Sequence, residues 1–352
     1  MRNSIVYYYN LNPSEIHQSN QLYYFKIDNE RYFLEPLIRT EQELDSIYKI
    51  NVELLNRRVP VHQIVLNKQN NIITVVNNIP YVLLKSFVKK NDLINIYDII
   101  DLNKQTIIKK QDIILDKSNW PLLWENKNDY LEYQVSQFGI KYPVICETFS
   151  YYIGLAENAI LYAKNTNIEL KPDISDYLTI SHKRITNQTT LFDLYNPLEF
   201  IIDLNVRNVA EYIKFKFFYN RENLWEEINV FFEQNNVSSY GARMLFARLL
   251  YPTYYFDLYD EIMSDENYDE KKLITIIDKQ EEYEEFLSDI YHYISRNYSI
   301  PAVEWLIKRW ENFLIFNLLI LLFLLLEFRS LKPFLCPLVF VLTYNNACKH
   351  QI

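Results

Sequence analysis

Glycine is almost missing from this chain, and its absence restricts the fold more than any other feature. Among 352 residues there are 3 glycines, Gly139, Gly154 and Gly241, so none stands before position 139. Loops that cradle phosphate groups need glycine, because a Cβ keeps the backbone N–H groups away from the ligand. A Walker loop, a dinucleotide fingerprint and a glycine-rich loop over nucleotide phosphates are therefore excluded from the first 138 residues. Turns in that stretch fall on Asn-rich segments instead, at Lys68 to Asn71 and Asn77-Asn78.

Between those turns, residues 1–110 read as strands with one helix. Leu22–Ile27 and Arg31–Leu37 flank Asp28-Asn29-Glu30, the pattern of a hairpin. Thr40 to Leu55 carries Leu44, Ile47, Tyr48 and Leu55 on one helical face, and Thr40 with Glu43 forms a capping box. Val61–Leu66, Asn71–Val76 and Tyr81–Leu84 follow as strands. Two strands, a helix and three strands is the order of a kinase small lobe.

From about Lys117 the period changes to helical, and residues 111–309 read as a second, helical lobe. Asp129–Phe138 is one helix; Tyr151–Asn165 is another, with Tyr152, Leu155, Ala156, Ala159, Ile160 and Ala163 in one stripe. Two short strands, Tyr177–Ile180 and Phe200–Leu204, interrupt the helices. Helices resume at Arg221–Phe232, Ala242–Leu250 and Leu273–Ile294; the last is expected to face Glu281, Glu282, Glu284 and Glu285 to water. The acidic run from Asp257 to Glu270 lacks calcium-loop spacing and reads as solvated surface.

A hydrophobic content of 49% is enough to bury a core, while a net charge of −9 argues against nucleic acid as a partner. Cys146, Cys336 and Cys348 form no CxxC pair, so neither a disulfide framework nor a zinc site is expected. The N-terminus lacks the apolar core of a signal peptide, so the expectation is a chain made and kept inside the cell. The 30 tyrosines have two readings, a sticky, cross-linkable surface or the codon drift of an AT-rich genome. The character of the chain changes after Arg309, where residues 310–352 form a hydrophobic tail. Phe313–Leu326 is interrupted only by Asn317, yet its 14 residues span about 21 Å, short of a ~30 Å hydrocarbon core. A membrane or re-entrant anchor, a buried terminal helix and a frame-shifted, non-native tail all remain open.

Phosphoryl transfer is mainly positioning and charge neutralisation, so a kinase-like enzyme needs a small set of groups: a Lys for the phosphates, a carboxylate base, and an Asn and an Asp for the metal ions. The candidate loop is Tyr177-Leu-Thr-Ile-Ser-His-Lys-Arg-Ile-Thr-Asn187. Against the pattern H-x-D-x-x-x-x-N of aminoglycoside-phosphotransferase-like enzymes, His182 matches, the base is Arg184 and the metal Asn is Thr189. A guanidinium cannot accept a proton at neutral pH. Asn187 lies two residues early. Asp203, ending Pro197-Leu-Glu-Phe-Ile-Ile-Asp203, fits either the metal-binding Asp or an ordinary turn carboxylate. The second strand reads Tyr32-Phe-Leu-Glu-Pro36 where a Lys is expected, with Lys26 before it and Lys85 on a later strand. The five histidines (His17, His62, His182, His292 and His350) show no metal-binding pair, and His62 and His292 read as packing or surface residues.

Four segments, Phe149–Tyr162, Leu178–His182, Pro197–Ile213 with Arg207-Asn-Val-Ala-Glu-Tyr, and Tyr240–Phe256, occur in an order and spacing that belong together. Together they resemble the spore coat YutH family of endospore-forming bacteria, relatives of the CotS-type coat kinases. The resemblance covers roughly Gln21 to Arg309. It implies an α+β, two-lobed, protein-kinase-like (aminoglycoside-phosphotransferase-like) fold and a role in the spore coat, reached from the mother-cell cytoplasm, with other coat proteins as partners. In the family pattern an Asp follows the Arg where this chain has Asn208, and a Cys precedes the His where it has Ser181. The expectation is a non-catalytic coat protein with no cofactor, in which His182 is vestigial and Asp203 binds metal only if a magnesium nucleotide binds. The alternatives are an ATP- and magnesium-dependent phosphotransferase, and a membrane-associated protein held by Phe313–Leu326.

Overall fold

The computed structural model describes residues 1–19, 21–88, 92–108, 112–264 and 269–307. The hydrophobic tail, with Phe313–Leu326, Cys336, Cys348 and His350, lies outside the described residues, as do Lys89-Lys90 and Lys109-Lys110. The chain divides into two compact units, Met1–Gln280 with Tyr298–Ile300, and Glu281–Asn297 with Pro301–Ile352.

The first unit opens with helix α1 (Arg2–Tyr9) and an antiparallel sheet of β1 (Ile16–Ser19), β2 (Leu22–Ile27), β3 (Glu30–Pro36), β4 (Gln63–Val65), β5 (Ile73–Val76) and β6 (Ile79–Ser86). The sheet runs β1-β2-β3-β6-β4, with β5 also pairing β6. Its turns show how a glycine-free stretch is folded. Left-handed backbone is carried by Asp28 (φ 55°), Asn70 (φ 61°), Asn77 (φ 51°) and Asn78 (φ 64°), because short polar side chains tolerate that region best after glycine. Asn77 and Asn78 form the two-residue loop of the β5–β6 hairpin, in which Val76 pairs with Ile79. Positive φ at both loop positions gives a turn whose twist matches the strands.

Alternation of side chains buries both faces of this sheet. Tyr32 and Leu34 of β3 join Tyr81 and Leu83 of β6 in one cluster, which Ile5 of α1 covers. Val82 and Leu84 point the other way, onto Leu44, Ile47 and Leu54 of α2 (Glu41–Asn56). α2 begins as its sequence requires: the Thr40 hydroxyl accepts from Glu43 N at 3.2 Å and the Glu43 carboxylate accepts from Thr40 N at 3.1 Å. The same cluster continues into Ile180, Phe200 and Ile202, so the sheet, α2 and the ribbon described next share one core.

That ribbon, β7 (Leu178–His182) and β8 (Phe200–Leu204), is antiparallel, with Thr179 opposite Asp203 and His182 opposite Phe200. It sits among helices α3 (Ile96–Gln105), α4 (Trp120–Phe138), α5 (Pro143–Glu169), α6 (Leu191–Leu194), α7 (Arg207–Tyr219), α8 (Leu224–Gln234), α9 (Ser239–Leu250), α10 (Thr253–Ser264) and α11 (Lys272–Ile277). The stripe expected in α5 is buried throughout, but the helix runs further at both ends, starting on Pro143, whose fixed φ suits a first turn. α9 is buried at every position from Tyr240 to Leu250 rather than along one stripe. The expected helix Leu273–Ile294 breaks at Asp278-Lys279.

The described part of the second unit is built on α12 (Gln280–Ser295), with Tyr283, Phe286, Leu287, Ile290 and Ile294 buried. Glu281, Glu282 and Glu285 face water as expected; Glu284, expected to do the same, is buried.

Candidate functional site

The ends of β7 and β8 and the first turn of α7 bring His182, Arg184, Asp203, Arg207 and Asn208 together. Asp203 is buried, and its oxygens face donors of the protein itself. Oδ1 accepts from Trp120 Nε1 at 2.8 Å and from Leu204 N at 2.7 Å. Oδ2 faces Arg207 Nε at 3.0 Å in an ion pair with both side chains almost fully enclosed. Burial pushes Asp203 up to about 6 and Arg207 down to about 10, each against the pull of the other, so this pair costs desolvation on both sides. Arg207 also donates to the carbonyl of His182 and, at 3.0 Å, to that of Lys183. One guanidinium thus ties the end of β7 to the end of β8.

Asn208 completes the brace. Its Oδ1 accepts from the backbone N–H of His182 at 3.2 Å inside a fully buried site. A neutral amide therefore still holds the loop where the family pattern has a carboxylate. Beside it Ser181 is fully buried. The His182 ring is buried too, and burial lowers its basicity, so it is neutral. Nδ1 lies against both the carbonyl of Arg184 and, at 3.3 Å, its backbone N–H, and Nε2 is buried without a hydrogen-bond partner.

The position of the base does not hold one. Arg184 pairs with Asp257 of α10 at 3.0 Å, and Asp257 holds the guanidinium above its ordinary range. Asp257, expected as solvated surface, is thus committed to this pair, and Asp260 to Lys127 at 2.7 Å. Thr189, in the place of the metal Asn, accepts from Thr186 N at 2.8 Å and shapes a turn. Asn187 is exposed and lines a different cavity from Asp203. On the strand where a phosphate-binding Lys is expected stands Glu35, held by Asn196 Nδ2 at 3.1 and 2.9 Å. Burial, and the charges of Glu199 and Asp193, push Glu35 up to about 7 although Asn196 pulls it down. Lys85 pairs with Glu30 and Lys26 is exposed; neither lines a cavity beside the ribbon.

Glu35, Arg39, His182, Thr189 and Phe192 line a cavity of about 800 Å³ beside the sheet. The Phe192 ring packs 4.2 Å from Phe33 and 4.4 Å from His62, centroid to centroid. His62 is fully buried, as a packing residue, and burial lowers it to about 4. A second cavity, of about 350 Å³, opens on Asp203, Arg207, Arg248 and Trp124.

Beneath lies a network the sequence did not reveal. Glu211 accepts from Arg248 Nε at 2.6 Å and Lys214 Nζ at 2.9 Å. Burial would raise Glu211, but Lys214, Arg248 and Arg207 outweigh it and hold it well below the usual carboxylate range. Arg248 lies 5.0 Å over the Trp120 ring and 5.6 Å over that of Trp124, fixing the indole that donates to Asp203. Arg39 was missed as well. It donates to the carbonyls of Leu198 (2.7 Å) and Phe200 (2.9 Å), joining the start of α2 to β8. The one available signal was a pair of cations, Arg243 and Arg248, inside an otherwise apolar helical run.

A magnesium ion needs several oxygen ligands at once. Here Asp203 spends Oδ1 on an indole and an amide, while Oδ2 is buried without a hydrogen bond and faces the Arg207 guanidinium at 3.0 Å. Among the described residues no group of three or more His, Cys, Asp or Glu side chains is placed to hold a metal.

Comparison with known proteins gives this geometry its context. The family model described as "Spore coat putative kinase YutH" matches residues 2–290. The chain belongs to the YutH spore coat family. Endospore coat-associated protein YutH of Bacillus subtilis (strain 168) is 30% identical over 209 residues, 54% of this chain. The matched part spans 61% of that relative's length. An aminoglycoside phosphotransferase from Alicyclobacillus acidocaldarius superposes with a TM-score of 0.61 over 84% of this chain and 97% of its own, at 10% identity. At that identity the likeness shows a shared fold. The two-lobed, kinase-like α+β architecture expected from the sequence is the fold of this YutH-family chain.

Proposed function

We propose that this chain is a non-catalytic, kinase-like protein that acts in the structure or assembly of the spore coat, made in the mother-cell cytoplasm and bound to other coat proteins. The observation that carries the reading is the Asp203–Arg207 pair: the carboxylate that would hold a metal ion is buried, with Oδ1 taken by an indole and an amide and Oδ2 facing a guanidinium at 3.0 Å. Arg184, tied to Asp257 where a base is needed, supports it further. So does Glu35, which sets a carboxylate where triphosphate would need a cation. The coat setting draws on the family and on the coat-associated name of the Bacillus subtilis relative. Among the described residues no helix is long and apolar enough to cross a membrane.

The test is a thermal-shift titration with ATP and Mg²⁺ alongside a phosphate-release assay. No metal-dependent stabilisation and no turnover is the expected result; tight metal-dependent stabilisation with turnover sinks the proposal. A second reading, phosphotransfer from ATP to a small molecule or a coat protein, draws on the cavity of about 800 Å³ beside His182 and Thr189. It requires that Asp203→Ala abolish a measurable activity.

A further inference from the structure

The smaller cavity beside Asp203 has an unusual charge for this protein. Its lining carries seven Lys and Arg side chains against three carboxylates, within a chain of net charge −9. A cavity with one sign of charge and low-dielectric walls concentrates its field on whatever enters. Trp124, Tyr251 and Phe256 supply such walls.

Most of those cations are engaged. Arg39 meets two carbonyls and Glu43, and Lys127 meets Asp260. Arg184, Arg207 and Arg248 meet Asp257, Asp203 and Glu211. Lys117 and Lys183 differ. Lys117 Nζ reaches the Ile114 carbonyl at 3.4 Å, and neither lysine has a carboxylate partner among the described residues. Both line the cavity that the buried Asp203 also lines. A ligand with several negative oxygens would find ammonium donors already in place, with no metal ion needed to bridge it to the protein. About 350 Å³ lies in the lower range of small-molecule sites, which suits a compact anion.

We propose that this cavity binds a small phosphate-bearing anion directly, without a divalent metal, through Lys117 and Lys183. The site rests on Asp203 being closed to metal, and is otherwise independent of whether the chain lacks catalysis.

Isothermal titration of sodium pyrophosphate into the full chain, in EDTA and again with excess Mg²⁺, tests it. Saturable binding is expected in EDTA, weakening as sodium chloride is added. The double variant Lys117→Ala/Lys183→Ala should bind about a hundredfold more weakly, since each of the two charge-assisted contacts is worth roughly tenfold. Its thermal midpoint should match the wild type, which keeps lost binding distinct from lost folding. Absence of saturable binding in EDTA, or equal binding by the double variant, overturns the anion site. No binding in either condition does so while leaving the non-catalytic reading intact. Binding that appears only with Mg²⁺ overturns both the site and the account of Asp203.

Discussion

Replacing Arg207 by Met tests the closed site from within, because it keeps most of the side-chain volume while removing the charge and its hydrogen-bond donors. In the folded protein it leaves the Asp203 carboxylate buried, with Trp120 Nε1 and Leu204 N as its donors. The carbonyls of His182 and Lys183 also lose their guanidinium partner. Breaking a buried pair from one side costs about 3–5 kcal/mol, because an uncompensated charge remains. For a domain of this size that is a fall in midpoint of roughly 6–15 °C. The pH dependence gives a second, sharper readout. Asp203 titrates at about 6 in the folded chain, above the ~3.9 of an unfolded Asp. Its ionised form therefore penalises the folded state above the folded pKa, and the penalty disappears below the unfolded one. Without Arg207 the folded pKa moves up further, so the variant loses stability progressively as pH rises from 4 through and beyond 6. Urea denaturation followed by circular dichroism at pH 5 and pH 8 measures both effects. A loss below about 1 kcal/mol, or one that is the same at both pH values, would refute the claim that Arg207 compensates a buried charge.

Other substitutions have smaller and distinct signatures. Thr40→Ala removes the hydroxyl of the α2 capping box and should cost about 1 kcal/mol in denaturant unfolding, with Thr40→Ser restoring most of it. At Asn78, whose φ is 64°, Val should cost about 1–2 kcal/mol while Gly changes stability by less than about 0.5 kcal/mol; equal effects would contradict the left-handed turn. Arg184→Ala breaks a pair that is half open to solvent, so its stability should shift by less than about 1 kcal/mol. A large loss there would mean that the Asp257 pair holds the fold.

The elements read correctly are those whose signals are local. Thr40 and Glu43 spell a cap, and the Asn-rich turns locate the hairpins because the flanking strands alternate. Helices α7, α10 and α3 were hidden for different reasons. α7 buries Arg207, Asn208 and Lys214 alongside Val209 and Ile213, which erases the amphipathic period. α10 looked like solvated acid because Asp257 and Asp260 find their cations, Arg184 and Lys127, only after folding. α3 did carry a readable signal, since Asn95 and Asp98 form a capping box in the structure, but the strand-rich context outweighed it. In the site, sequence spacing located His182, Arg184, Thr189 and Asp203 along the chain. It could not show that Trp120, 83 residues earlier, donates to Asp203, nor that Arg39 joins two carbonyls about 160 residues away. Those contacts depend on tertiary packing, and no local pattern encodes them.

The proposal to be tested is that this kinase-like body holds internal ion pairs, Asp203–Arg207 and Arg184–Asp257, in place of a metal site. Calorimetric titration of ATP with excess Mg²⁺ into the full chain, with phosphate release measured on the same sample, addresses it most directly. The account predicts no magnesium-dependent binding and no release above the protein-free rate. Magnesium-dependent binding with turnover that Asp203→Ala abolishes would contradict it.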